Sequence, residues 1–346
     1  MVGFLRSAGL LVPQVRRLYE SRNQLLRERD MLAQQRQGMI QPSAAPPPFS
    51  PFFFYNATFE PQEVMRRHAA TGLVPNPQRL TNFLGVLIDP RFFPSLLDNR
   101  AGEVEGVPIP ANWHADIAEW GAALRAVDLA GDSFTVIELG CGWGCWLNNT
   151  GVAARRLGKR PQLIGVEGDK GHLAFARQST AENGFGSDQV TLHHGIAAAR
   201  GGVALFPRQH QAGEQWGLEA VFGASAEQRQ QAAAAGSHEE LPMVALHDLA
   251  APHARIDLLH IDIQGGEATL IEEALPQLRE KVAYIVVGTH SRPIEGRIMD
   301  TLHKAGWLLE IERPAILDMH HNGQRVVVDG VQGWRNPALH QSDPRR

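Results

Sequence analysis

The sequence predicts an α/β fold: a doubly wound, Rossmann-like sheet, mostly parallel, closed by an antiparallel C-terminal hairpin. A helical cap and a short coiled-coil-like helix precede it. Three observations carry this. From Phe134 onward, short β-branched runs alternate with helical stretches, the pattern of a parallel sheet covered on both faces. The first run leads into alternating glycines, "ELGCGWGCW" at 138–146. Two final strand-like runs, "WLLEIERPA" and "QRVVVDGVQGW", flank an "HHNG" turn, which suits a hairpin at a sheet edge.

Residues 1–37 open the chain with Leu11, Leu18, Leu25 and Leu32 seven apart, one seam of a coiled coil. Val15, Arg22 and Arg29 hold the companion seam, and the arginines weaken association there. The segment therefore reads either as a solvated amphipathic helix or as a homo-oligomerising one. Residues 38–59 hold "QPSAAPPPFSPFFFYN", a proline-rich linker. Residues 60–133 read as a helical cap, in which Ile117, Trp120, Leu124 and Val127 fall at helical spacing and predict core packing. Trp113 and His114 are candidate acceptor contacts in that region. Residues 134–336 form the sheet domain. "TVIEL", "QLIGVE", "QVTLHHG", "IDLLHIDI" and "AYIVVGTH" are its strands, and "HLAFARQSTAENG" and "EATLIEEALPQLREK" are intervening helices. An insertion at 207–242 separates the third and fourth strands, and 337–346 is a tail.

Composition narrows the function. The 346 residues are 43% hydrophobic and 20% charged with a net charge of −4, so no basic field favours a nucleic-acid partner. Two cysteines, Cys141 and Cys145, give no disulfide framework and suit a reducing, cytoplasmic setting. The apolar stretch at the amino terminus is cut by Arg6 and Pro13, so no membrane span or signal peptide is expected.

The glycine turn points to a nucleoside ligand beyond the strand ends. A dinucleotide site wants G-x-G-x-x-G, whereas Gly140, Gly142 and Gly144 give G-x-G-x-G. Glu138, two residues before the first glycine, would repel a pyrophosphate and suits a sulfonium with an α-amino group. Glu167, followed by Gly168, ends the next strand where a carboxylate accepts ribose hydroxyls. His194, Gly195 and Ile196 close the third strand and could flank an adenine. These residues, with Cys141 in the turn, make up the candidate S-adenosyl-L-methionine site.

The blocks "ELGCGWG" (138–144), "GVEGD" (165–169) and "HIDIQGGE" (260–267) resemble the FkbM-type S-adenosylmethionine-dependent methyltransferases over residues 134–315. That resemblance implies O-methylation of a hydroxyl on a sugar, polysaccharide or glycosylated precursor. The chain departs from the family where His260 stands in place of the usual lysine. It departs again where "GTHS" (288–291) replaces an acid-x-His pattern.

A hydroxyl acceptor needs a general base. Period-two alternation puts His260 and Asp262 on one strand face. Asp262 is expected to line the cofactor pocket and orient acceptor or base. His290 is the preferred proton acceptor and His260 the second choice. Glu267 serves the site or caps a helix. These four could also converge on a divalent ion such as magnesium, although no ligand spacing demands one. Two rival readings are an NAD(P)-dependent oxidoreductase and a non-catalytic nucleoside-binding scaffold subunit.

Overall fold

The computed structural model describes residues 50–213, 215–321 and 323–340. The expected helix at 1–37, most of the linker and the end of the tail lie outside the described residues. Among the described residues no helix is long and apolar enough to cross a membrane.

Twelve elements build the core. In chain order they are α1 (Ile117–Leu129), β1 (Ser133–Leu139), α2 (Cys145–Arg156), β2 (Arg160–Glu167), α3 (Lys170–Glu182) and β3 (Val190–His194). Then follow β4 (Leu258–Ile261), α4 (Glu267–Lys281), β5 (Tyr284–Thr289), α5 (Arg292–Lys304), β6 (Leu308–Arg313) and β7 (Gly330–Arg335). The sheet order is β3-β2-β1-β4-β5-β7-β6. β1 pairs in parallel with β2 on one side and β4 on the other, so strand order reverses between β1 and β4. That reversal opens a crevice at the strand ends, where such sheets bind ligands.

Both faces of the central strands are buried, and successive side chains alternate between them. Phe134, Val136 and Leu258 pack against α1 and α2, and Ile137, Leu139, Leu259 and Ile261 pack against α4 and α5. Glu138 and His260, in register on adjacent strands, belong to the first face. The α1 stripe of Ile117, Trp120, Leu124 and Val127 is buried there too, so the helical cap and the sheet share one core. Asp116 starts α1 by accepting the Ala118 and Glu119 amides. The end of the predicted linker also joins the sheet: Asn56–Ala57 pairs with β6 as an eighth, edge strand.

The C-terminal strands are antiparallel, but their pairing differs from the single hairpin expected. The run "QRVVVDGVQGW" is two strands. Gly323–Val328 pairs with Ile316–His320 in a separate arm that carries the turn, and β7 inserts between β5 and β6. Gly330 marks the break, because a Cβ there would collide with Glu295, Thr289 and the Ala315 amide. The insertion is structured as well. Gly202–Pro207 and His238–Ala245 pair antiparallel, and the latter runs parallel to Ile196–Ala198. A helix at Ala226–Ala235, started by a Ser225–Gln228 capping box, lies between them.

Candidate active site

The crevice is a cavity of about 290 Å³ that draws on the glycine turn, the strand ends, the cap and the insertion. Each of the three motif glycines stands at positive φ: 76° at Gly140, 52° at Gly142 and 75° at Gly144. A Cβ on Gly140 would overlap the Asp262 carbonyl oxygen, so the turn and the end of β4 touch through bare backbone. Gly142 lies under Trp216, with 2.6 Å between its ideal Cβ position and the indole. Gly144 caps α2 instead of lining the cavity. Cys141 is buried beneath the turn, where burial pushes its thiol well above the usual range.

Two carboxylates support this turn. Glu138 accepts the Trp146 amide at 3.1 Å and the Leu147 amide at 2.9 Å, satisfying the free N–H groups that open α2. Glu167 accepts the Gly142 amide at 2.8 Å and the Asp169 amide at 2.7 Å. Burial pushes each acid up to about 7, although the accepted backbone hydrogen bonds oppose that shift. Both line the cavity. Glu138 is thus also a helix cap, a role its place before the glycines did not disclose. Gly168 lines the cavity too, but His194 does not. Its Nε2 donates to the Gly168 carbonyl at 3.0 Å, and Gly195, Ile196 and Ala197 face the cavity in its place.

Beyond β4 the chain turns through Gln264, at φ 59°, whose amide donates to Asp262 at 2.8 Å. Glu267 is wholly buried and lies outside the cavity lining; its carboxylate accepts the Ile263 and Gly265 amides at 3.2 and 2.9 Å. His290 stands between the two acids, with Nδ1 2.9 Å from Glu267 and Nε2 3.3 Å from Asp262. Burial alone would lower its pKa, but hydrogen bonds to both carboxylates outweigh that and raise it to about 11. At neutral pH His290 is therefore an imidazolium with no lone pair to receive a proton. In this geometry both ring nitrogens of the expected base are engaged, and His290 bridges Asp262 to the buried Glu267.

Asp262, Glu267 and His290 do place ligand-type atoms within 4.8 Å of one another. Both ring nitrogens of His290 face carboxylates, however, and Glu267 is engaged by backbone amides. His260 lies apart from it, stacked on Trp146 at 5.3 Å with its Nε2 3.2 Å from Glu119 of α1.

The cap wall adds Phe93, His114, Asp116 and Glu119 to the lining. Of the two cap residues singled out from sequence, His114 reaches the cavity and contacts the Cys145 thiol, while Trp113 is buried behind it. Asp116 is ion-paired at 2.5 Å with Arg313, both buried. From the insertion, Trp216 stacks between His172 at 3.8 Å and Phe93 at 4.1 Å, roofing the glycine turn. Among the described lining residues there are six acids, namely Asp116, Glu119, Glu138, Glu167, Asp262 and Asp329. Arg313 is the one Arg or Lys. Asp116 is balanced by Arg313 and Asp262 by His290, so the described lining offers a phosphate no uncommitted Arg or Lys.

Sequence comparison finds a protein from Jannaschia sp. (strain CCS1), named "Putative methyltransferase", that is 46% identical over 276 residues, 80% of this chain and 98% of that one. No protein-family model matches. Among solved structures, precorrin-6y C5,15-methyltransferase from Geobacter metallireducens is 10% identical. It covers 62% of this chain and 85% of its own with a TM-score of 0.34. TrmK of M. capricolum, solved with S-adenosyl-homocysteine, is 8% identical over 62% of this chain and 67% of its own, with a TM-score of 0.33. At these scores the likeness adds nothing to what the strand order already establishes.

Proposed function

This chain belongs to the methyltransferase family of the Jannaschia protein, and from that premise we propose that it transfers a methyl group from S-adenosyl-L-methionine to an acceptor hydroxyl. The carrying observation is the contact between Gly140 and the Asp262 carbonyl, which sets the nucleoside-type turn and a strand-end acid on one cavity. Gly140, Cys141, Gly142, Glu167 and Gly168 would cradle the adenosyl moiety, with Gly195 and Ile196 beside the base. Glu138 supplies negative charge to the sulfonium end while holding α2 in place. Bound there, the cofactor supplies an electrophilic methyl carbon.

The acceptor reading follows the FkbM resemblance: a hydroxyl of a sugar, polysaccharide or glycosylated precursor. The lining supports a neutral acceptor, since its one arginine is already paired with Asp116. A polyanion such as RNA would find no free Arg or Lys among the described lining residues to neutralise it. Asp262 accepts a hydrogen bond from a second hydroxyl of the acceptor and so aligns the molecule for in-line attack, and His290 and Glu267 keep that carboxylate from swinging.

Titration calorimetry with S-adenosylmethionine, S-adenosylhomocysteine and NAD tests the cofactor. Binding of the first two and not the third is expected, and tight binding of NAD alone would overturn the reading. A screen of glycan fragments and nucleotide sugars with methyl-labelled cofactor tests the acceptor. Label should enter neutral sugars in preference to phosphorylated ones.

A further inference from the structure

We propose that His260, oriented by Glu119 of the cap helix, is the group that removes the acceptor's proton, so that the cap completes the catalytic apparatus. The inference rests on the methyltransferase reading and deepens it.

His260 sits on the cavity side of β4, its ring plane set by Trp146. Glu119, 141 residues earlier, lies 3.2 Å from Nε2. A carboxylate only accepts, so Nε2 must carry the hydrogen, and the neutral ring then holds its lone pair on Nδ1. Nδ1 is buried and meets no hydrogen-bond partner among the described residues. An unpaired buried acceptor is destabilising, and an acceptor hydroxyl that reaches Nδ1 through a small shift of the cavity wall relieves that. His290 cannot compete, because both its nitrogens are engaged by carboxylates.

In the reaction the acceptor oxygen forms a bond to the methyl carbon. The carbon–sulfur pair stays with sulfur, which leaves as a neutral thioether. The O–H proton passes to His260 Nδ1, and the resulting imidazolium is balanced by Glu119. The groups that set this histidine's charge are Glu119 from α1, Glu138 from β1 and Asp262 beyond β4. Asp116 acts through Glu119 and is itself paired with Arg313. Burial opposes protonation, but the Glu119 hydrogen bond and the neighbouring acids prevail and raise the pKa.

The test compares wild type with His260→Gln, Glu119→Gln and Glu119→Asp, all in the full chain. S-adenosylhomocysteine affinity reports on the cofactor reading alone. It should be unchanged in every variant, and no binding by wild type would defeat the underlying function, not this assignment. His260→Gln should lower kcat by about a hundredfold or more. Glu119→Gln should lower kcat less and move the acid limb of the kcat/KM profile to lower pH, with Glu119→Asp restoring the limb. NMR titration of the His260 ring gives the same answer without an acceptor: a raised pKa with the proton on Nε2 in wild type, lowered in Glu119→Gln. A kcat unaffected by His260→Gln, or a limb and ring pKa unmoved by Glu119→Gln, would overturn the proposal.

Discussion

At the scale of single residues, Gly140 is the most constrained position. Its positive φ and the Asp262 carbonyl leave no room for a side chain, so Gly140→Ala should displace either the turn or the end of β4. S-adenosylhomocysteine binding by calorimetry should fall below detection, with a stability loss of about 1–3 kcal/mol in urea titrations. His290 carries a pH signature. Its folded pKa of about 11 exceeds the ordinary value of 6.5, so its contribution is complete below about pH 6.5 and lost as pH rises toward 11. Melting temperature should therefore decline across that window, and His290→Gln should flatten the decline. That Glu138, Glu167 and Asp262 meet at one cavity was legible in the sequence, because strand ends and glycines fix where such acids point. Glu119 was not: its partner is 141 residues away, and only the packing of α1 across β4 joins them. His194 misled because a strand end does not reveal whether a histidine turns to the ligand or to a nearby carbonyl.

At the scale of elements, α1 is cap and core at once. Leu124 is fully buried among sheet residues, and Leu124→Ala should cost about 2–5 kcal/mol in chemical denaturation, more than an appended cap would lose. The alternation of strands and helices was readable from hydrophobic period. The C-terminal pairing was not, because turn chemistry such as "HHNG" is local whereas the choice of β7's neighbours is made by contacts with β5 and β6. The insertion likewise gave no sign that Trp216 would stack between Phe93 and His172. Those three rings come together only when cap, core and insertion fold against one another.

At the scale of the whole molecule, the sheet has both faces covered and draws its outermost strand from residues 56–57. A chain starting at residue 50 therefore keeps every described element. It should melt close to the full protein and bind S-adenosylhomocysteine equally well. If the heptad leucines at 11–32 join copies of the chain, light scattering will show a lower mass for the shortened form; equal masses would remove that role. The doubly wound architecture followed from sequence pattern alone, whereas the merging of cap and sheet into one core needed three dimensions.

The stacked roof has a practical consequence for redesign. Because α1 cannot be exchanged without dismantling the interior, grafting a foreign cap is a poor route to new acceptors. Trp216 and its neighbours roof the crevice, held by stacked ring faces, by the indole's hydrogen bond to the Gly213 carbonyl and by packing on the insertion's own small cluster. Randomising positions 215–222 should therefore retune which molecules enter while the scaffold stays intact.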